Sequence, residues 1–512
     1  MRIPQEVKSI IDEFKKAGFE AYIVGGCVRD FLRGVEPEDW DVTTNAKPEE
    51  IQKIFPESFY ENKFLTVTVK TKSKNQRLKE LKEDKSSSRP FTDVREIEVT
   101  TYRKEAKYTD KRHPDEIKFA KTIKEDLARR DFTVNAIAAT PEASKLKVKN
   151  EKLKIIDPFE GQKDLENKII RAVGNPEERF NEDALRMMRA VRFTVTLDGS
   201  ASWRIEEKTT QAIKKNSPWL RAISRERIRD EFSKIIMAER AADGIELLRE
   251  SGLLKYILPE LEEGCKVTQN KHHIYECYEH ALLSLKYAAQ KKFNKYVRLA
   301  ALLHDIAKPR VKKGEGPNAT FYGHEMVGAK MTSQILNRLK FSKKEIEKIA
   351  KLVRYHLFYY NPEEVGDASV RRLLRQVGPE NMEELLQVRM ADRIGSGVPK
   401  AEPYKLRHLK YVIEKVSQDP ISVKMLKLNG NDVMKILGIP PGPKIGNILD
   451  VLLGYVLEDP KKNDKEFLEK EVKKLGKFPE NELISLTKKA SREREKLETK
   501  RDEMTKKKYW VT

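Results

Sequence analysis

Residues 22–45 read Tyr22-Ile-Val-Gly25-Gly26-Cys27-Val-Arg29-Asp30-Phe-Leu-Arg-Gly-Val-Glu-Pro-Glu-Asp39-Trp-Asp41-Val-Thr-Thr-Asn45. A short apolar strand runs into a glycine pair, an arginine-bearing helix start follows, and two aspartates then stand one residue apart among β-favouring neighbours. Residues i and i+2 of an extended strand share a face, so Asp39 and Asp41 are expected to converge on one spot. Paired carboxylates suit hard divalent ions with oxygen ligands, and a two-ion clamp suits in-line attack at phosphate. Gly25 and Gly26 allow backbone N–H groups to approach a triphosphate, and Arg29 adds positive charge. A lone Asp-x-Asp is most often a solvated turn; the glycine pair ahead of it favours the phosphate reading.

The order of glycine pair and then paired carboxylates resembles the DNA-polymerase-beta-type nucleotidyltransferases. Residues 20–140 alternate helix-like and strand-like segments. Residues 64–70 (Phe-Leu-Thr-Val-Thr-Val-Lys) and 97–103 (Ile-Glu-Val-Thr-Thr-Tyr-Arg) carry the alternating β-branched pattern of strands. Between them residues 71–92, rich in Lys, Ser and Glu, read as a solvated insertion in a hairpin, better taken as a loop without function than as an RNA-facing element.

Bulk properties narrow the class. A chain of 512 residues has room for about three or four domains. No apolar run approaches the ~18–20 residues that cross a bilayer, and no signal-peptide core is present, which points to the cytoplasm and away from membranes. Cys27, Cys265 and Cys277 form no paired framework and fit a reducing compartment. Lys and Arg total 102 against 81 Asp and Glu, a net charge of +21. So basic a chain is expected to bind a polyanion, with salt-sensitive affinity.

From Asn175 the pattern becomes helical, with apolar residues at helical spacing over 182–193, 225–237 and 241–254. Pro259 and the loop after it mark a boundary. Residues 270–395 form a second helical block, which includes His272 and His273. Residues 426–457 give a further helical unit interrupted at Gly438-Ile-Pro-Pro-Gly-Pro443. Residues 488–508 read as a long polar helix whose alternating charges suit a solvated face.

Two segments carry base chemistry. Residues 127–137 read Leu-Ala-Arg-Arg130-Asp-Phe-Thr-Val-Asn-Ala-Ile, and further on comes Glu182-Asp183-Ala-Leu-Arg186-Met-Met-Arg189-Ala-Val-Arg192. On one helix Asp183, Arg186 and Arg189 would lie along one side, with Arg192 a turn further. A carboxylate there can accept from the amino group of cytosine or adenine, and a guanidinium can donate to the neighbouring ring acceptors. Guanine and uracil would set a carbonyl against the carboxylate and leave polar groups unpaired, a mismatch that discriminates strongly. The plainer alternative is a surface ladder of ion pairs.

The segments 25–30, 39–44, 64–69, 129–136, 157–165 and 182–193 occur in the order of the class II tRNA nucleotidyltransferases, the CCA-adding enzymes and their bacterial poly(A) polymerase relatives. The resemblance is dense over residues 20–260. It implies an α+β protein: a polymerase-beta-like head of mixed sheet and helices (1–145, with 71–92 inserted), followed by all-helical parts. These are a neck for base selection and RNA binding (146–260), a body (261–400) and a tRNA-binding tail (401–512). It further implies Mg²⁺ at Asp39 and Asp41, and nucleotide contacts from Gly26, Arg29, Arg130, Asp183, Arg186, Arg189 and Arg192. CTP and ATP would be the substrates, and tRNA would be held by its acceptor and TΨC arms. Residues 108–119 look like the family's flexible head loop, and Glu98 is the candidate for a third carboxylate on a neighbouring strand. Cys27 stands where alanine is common. Asn62-Lys63-Phe64-Leu65 looks more like CCA-adding enzymes than poly(A) polymerases, whereas the insertion departs from both. Poly(A) addition, and addition of CC alone or A alone, therefore stay open as alternatives.

The helical block holds a second constellation. Residues 298–309 read Arg-Leu-Ala-Ala-Leu-Leu-His304-Asp305-Ile-Ala-Lys-Pro, with His280 upstream and His324, His356 and Asp392 downstream. Imidazoles with carboxylates suit Zn, Ni, Mn or Fe, and a metal-bound water suits phosphoester hydrolysis. Each histidine alone is more often structural; the ordered set resembles the HD phosphohydrolase superfamily. That resemblance implies a metal at these residues and a phosphatase or 2′,3′-cyclic phosphodiesterase, with an inactive helical body as the alternative.

Overall fold

The structure is a computed structural model that describes residues 2–61, 66–72, 94–106, 116–142, 153–197, 202–270, 274–417 and 423–511. The 71–92 insertion (but for its first two residues), most of the 108–119 loop, and His272 and His273 lie outside the described residues. The chain forms two compact units: Met1–Arg354 with Ala391–Gly397, and Tyr355–Met390 with Val398–Thr512.

The first unit opens on an amphipathic helix, Gln5–Lys16, whose Val7, Ile10, Ile11 and Phe14 are buried. The strands that follow are β1 (Ala21–Val24), β2 (Asp41–Thr44), β3 (Ser58–Glu61), β4 (Thr66–Lys72) and β5 (Val94–Thr101). After them come β6 (Arg103–Ala106), β7 (Glu116–Phe119), β8 (Ala138–Pro141) and β9 (Leu153–Ile156). Seven of these make one mixed sheet in the order β3-β4-β5-β2-β1-β8-β9, while β6 and β7 pair separately. Neighbours are antiparallel except β2 and β5, which run parallel. Ile23, Val24 and Val42 at the centre are fully buried. The sequence pattern predicts a strand to Arg103, but β5 stops at Thr101. Tyr102 N–H donates to the Thr44 carbonyl at 2.8 Å, and the chain leaves the large sheet to pair with β7.

Beyond the sheet the first unit is mainly helical. The helix Pro176–Glu182 starts on Asn175, whose side chain accepts from the Glu177 N–H at 3.1 Å. It does not run on into 182–193 as the periodicity suggests: Asp183 is extended (φ −142°, ψ 104°), and a new helix spans Leu185–Thr196. Met187, Met188, Ala190 and Val191 of that helix are fully buried, and it packs on the helices Arg225–Met237 and Ala241–Glu250. The packing there is close enough that a Cβ on Gly244 would stand 2.6 Å from Ile235 Cγ2. Arg298, 3% exposed, ties these helices to those that follow. It donates to the carbonyls of Phe293, Ile236 and Ala238 at 2.8, 3.1 and 2.9 Å, which gives a buried charge polar partners.

The second unit has its own core, built from Leu428, Val433, Ile448, Leu452, Leu468, Val472 and Leu483 among others. The break at 438–443 separates the helices Gly430–Leu437 and Pro443–Glu458, and the long polar helix runs Glu480–Lys508. Among the described residues no helix is long and apolar enough to cross a membrane.

Candidate active site and candidate metal centre

The end of β1 sets the geometry of the head cleft. Gly25 (φ +79°) turns the chain into the helix Gly26–Leu32, and a Cβ there would stand 2.6 Å from Arg130 Nη1. A side chain is excluded both by the left-handed backbone and by the arginine. Asp41 is the first residue of β2, whereas Asp39 lies exposed in the bend before it, so only one of the two carboxylates is on the strand. Their charges still interact. Burial pushes the Asp41 carboxyl above its ordinary value, Arg130 opposes the rise, and Asp39 adds to it.

The parallel register sets Asp41 opposite Glu98. Both line a cleft of about 370 Å³ together with Thr66, Thr68, Thr100, Arg103, Arg129 and Arg130. Asp126, which the sequence reading did not single out, organises the basic side. Fully buried, it accepts from Arg129 Nε at 2.9 Å and from the Arg103 N–H at 3.3 Å, and lies 3.7 Å from Arg130 Nη2. Burial alone would raise its carboxyl, but Arg129 and Arg130 outweigh burial and hold it below the ordinary value.

The candidate base-reading residues come together differently from the one-face picture. Asp183 stands just before Ala184, the N-cap of the helix Leu185–Thr196, and accepts from the Leu185 N–H at 3.0 Å. Its partner in charge is not Arg186 but Arg227, which donates to both carboxylate oxygens at 3.2 and 2.7 Å. Arg186 donates to Glu182 Oε2 at 2.6 Å and to the Arg129 carbonyl at 3.2 Å. Arg189 is held by Asp131 at 2.8 Å through Nε and 2.6 Å through Nη2. Burial raises the Asp131 carboxyl, yet Arg189 and a 3.1 Å bond from Asn135 pull it down to about 2. Arg192 donates to Glu231 at 2.6 Å.

Phe193 joins the two halves of the site. The guanidinium carbons of Arg29, Arg189 and Arg192 lie 5.3, 5.4 and 4.0 Å from its ring centroid, within cation–π range. Arg29 also donates to Asn135 Oδ1 at 2.8 Å. Arg227 and Glu231 sit on the charge-rich helix Arg225–Met237 and Asp131 in a bend, and nothing in their own segments names their partners.

A second, separate cluster is fully assembled in the first unit. His280, His304, Asp305 and Asp392 are all buried, with ligand atoms within 4.8 Å of one another. His280 Nε2 and His304 Nε2 are 2.9 Å apart, and Asp305 Oδ2 is 3.1 and 3.2 Å from them. His324 Nε2 lies 3.3 Å from Asp305 Oδ1. The Nδ1 atoms of His304 and His324 face the carbonyls of Ala301 and Phe321 at 2.8 and 2.7 Å. A carbonyl only accepts, so each Nδ1 carries a proton and each Nε2 faces inward, where it can ligate a metal that displaces any proton there. Burial disfavours charge on His304, yet Asp305 and Asp392 raise it to about 10. His356, also buried, follows the helix Lys343–Tyr355 at the start of the second unit.

Comparison with known proteins gives these sites a context. Residues 21–171 match the poly A polymerase head domain, 203–265 the probable RNA- and SrmB-binding site of polymerase A, and 271–396 the HD domain. Over 485 residues the chain is 33% identical to a CCA-adding enzyme of Ligilactobacillus salivarius, covering 92% of this chain and 98% of that protein. The chain belongs to the tRNA nucleotidyltransferase (CCA-adding enzyme) and poly(A) polymerase family. Another relative within this family is the A-adding tRNA nucleotidyltransferase of Deinococcus radiodurans. It is 34% identical over 344 residues, 64% of this chain and 74% of that protein. Among solved structures, the Bacillus stearothermophilus CCA-adding enzyme in complex with CTP aligns with a TM-score of 0.55 and 28% identity, covering 93% of this chain and 98% of that one. The family's polymerase-beta-like head, helical remainder and HD domain agree with the fold expected from the sequence.

Proposed function

We propose that this protein adds C and A to tRNA 3′ ends from CTP and ATP, without a nucleic-acid template, releasing pyrophosphate in the cytoplasm. The observation that carries this reading is the pairing of Asp41 with Glu98 in a cleft lined by Arg103, Arg129 and Arg130. Two carboxylates beside the bent Asp39 give a concentration of negative charge that suits Mg²⁺, and the arginines suit a triphosphate. Mg²⁺ bound there supplies Lewis-acid activation of the tRNA 3′-hydroxyl and charge stabilisation at phosphorus.

The chain's own residues divide the remaining work. Arg29 and Arg130 neutralise phosphate oxygens, and Gly26 offers a backbone N–H close to them. Asp183 accepts from the amino group of cytosine or adenine, Arg186 donates to the adjoining ring acceptors, and Arg189 and Arg192 border the same pocket. Head (1–145), neck (146–260), body (261–400) and tail (401–512) are the working divisions, the last two gripping the acceptor and TΨC arms by shape and charge. In the body, His280, His304, Asp305, His324 and Asp392 would hold a transition metal (Ni, Mn, Zn or Fe), the set expected from the sequence also counting His356. That metal would serve a phosphatase or 2′,3′-cyclic phosphodiesterase that repairs damaged 3′ ends.

Full CCA addition is favoured over A addition because the likeness to the Ligilactobacillus CCA-adding enzyme spans 98% of that protein, against 74% for the A-adding relative. Sequencing the 3′ ends made on tRNA lacking its terminus, with all four NTPs present, tests the reading. Ends in CCA are expected. No addition to that tRNA but A on tRNA ending in CC would make the protein an A-adding enzyme, CC alone a CC-adding one, and A-tails on any RNA a poly(A) polymerase.

A further inference from the structure

The helix Glu480–Lys508 of the second unit ends in a Schellman arrangement. Val511 N–H donates to the Lys506 carbonyl at 3.0 Å, and Trp510 N–H to the Lys507 carbonyl at 3.2 Å. Such a cap needs one left-handed residue, where glycine or asparagine is the low-strain choice. Here that residue is Trp510, at φ 52° and 77% exposed. Val511 beside it is buried, so the cap is packed while the indole stands in solvent. Backbone strain that holds a large ring in water gains nothing from packing, and strain retained in this way points to function.

The surroundings of the ring indicate what it meets. Arg407 donates to the Trp510 carbonyl at 3.3 Å, and its guanidinium carbon lies 6.0 Å from the indole centroid and 5.9 Å from that of Tyr404. Tyr404 is itself exposed, as are Lys405 and Lys507. The nearby acids are already engaged, Glu414 by Lys508 at 2.6 Å and Asp502 by Lys506 at 3.1 Å. Two exposed rings with an arginine between them and lysines at the margin match an aromatic base followed by a phosphate.

We propose that Trp510, Arg407 and Tyr404 form a stacking platform for an unpaired nucleobase of a bound RNA, with Lys405 and Lys507 meeting the adjoining phosphates. The platform rests on the RNA-binding reading above and adds to it a contact with base faces, which shape and charge alone do not provide.

The test compares the binding of a short oligoadenylate with that of an abasic ribose-phosphate chain of the same length, using the full-length protein. The Trp510 emission, obtained by difference from Trp510→Phe, is expected to be quenched by oligoadenylate and not by the abasic chain. Trp510→Gly separates binding from folding, because it removes the ring and gives the left-handed position its preferred residue. Its thermal midpoint should hold or rise while oligoadenylate affinity falls roughly 5- to 100-fold and abasic affinity stays unchanged. Trp510→Tyr should retain most of the affinity. Equal affinity of Trp510→Gly and wild type for oligoadenylate would overturn the platform, as would equal binding of the two probes. So would loss of a dimer in sedimentation without loss of RNA affinity, since that assigns the ring to a second copy. Nucleotide addition by the wild type is measured alongside. If addition to tRNA fails, the proposed function falls; if it proceeds while Trp510→Gly binds normally, only the platform does.

Discussion

Asp183 is gripped by Arg227, whose two terminal nitrogens reach both oxygens of the carboxylate at 3.2 and 2.7 Å. A bidentate guanidinium fixes the plane of the carboxylate; Oδ1 accepts from the Leu185 N–H as well, while Oδ2 retains a lone pair for a further donor. Arg227 is thus a positioning residue for the proposed base reader. Arg227→Met should leave CTP and ATP addition measurable but reduce discrimination against GTP and UTP by about 10- to 100-fold, the scale of one misplaced polar contact. Asp183→Ala should erase discrimination further. Ratios of kcat/KM across the four nucleotides check both; unchanged ratios in Asp183→Ala would remove this residue from base selection.

Asp41 and Glu98 face each other across β2 and β5. Asp41→Asn and Glu98→Gln preserve shape and remove charge. Each should lower nucleotide addition by roughly 10²- to 10³-fold, the range seen when a principal transition-state charge contact is lost. The thermal midpoint of Asp41→Asn should hold or rise, because the carboxyl of Asp41 is already disfavoured as an anion by burial. Single-turnover addition to tRNA is the measurement, and a Glu98→Gln variant at wild-type rate would exclude the third carboxylate.

Phe193 carries three guanidinium groups within 5.4 Å of its ring centroid. Phe193→Leu keeps an apolar side chain and removes the quadrupole face that aligns Arg29, Arg189 and Arg192. KM for nucleotide is expected to rise about 10- to 100-fold, from losses of ~0.5–1 kcal/mol for each of the three cation–π contacts. Phe193→Tyr should keep a near-normal KM, which distinguishes alignment of the arginines from a simple packing defect.

The cluster of His280, His304, Asp305 and Asp392 predicts a bound metal independent of addition. Metal analysis of the purified full-length protein should find a transition metal that is lost in His304→Ala, while CCA addition persists. Loss of addition in step with metal would instead join the two centres functionally.

Asp131 provides a pH signature. Its folded carboxyl lies at about 2 because Arg189 and Asn135 overcome burial, against an unfolded value of about 3.9. A depressed carboxyl contributes stability that is present above the unfolded value and is lost as pH falls through the folded one. Stability on the order of 2 kcal/mol should therefore disappear between about pH 4 and pH 2. Asp131→Asn should flatten that part of the unfolding profile; an unaltered slope would mean the pair with Arg189 contributes nothing.

Local information was enough for some of this. The Gly25-Gly26 turn and Asp41 at the head of a strand follow from chemistry spanning a few residues, and so does the helix at 225–237; the one expected over 241–254 ends at Glu250, ahead of Gly252 at φ +71°. Spacing failed where the backbone made an unannounced break. The run 182–193 reads as one helix because its apolar residues keep the helical period; yet Asp183 is extended, with its side chain accepting from the Leu185 N–H and from Arg227. Likewise the strand pattern to Arg103 hides the departure at Tyr102, whose N–H is claimed by Thr44 across the sheet.

By itself the sequence determined which chemical groups this protein possesses and in what order: a phosphate turn, acidic strand residues, an arginine-rich neck and an HD histidine set. The tertiary structure alone decided who meets whom. Strand register brought Glu98 to Asp41, helix packing brought Arg227 to Asp183, and Arg29 from the head joined Arg189 and Arg192 of Phe193's own helix on its ring. Periodicity within a segment reports only its own face, whereas partners across segments are chosen by burial and charge neutralisation of the whole fold.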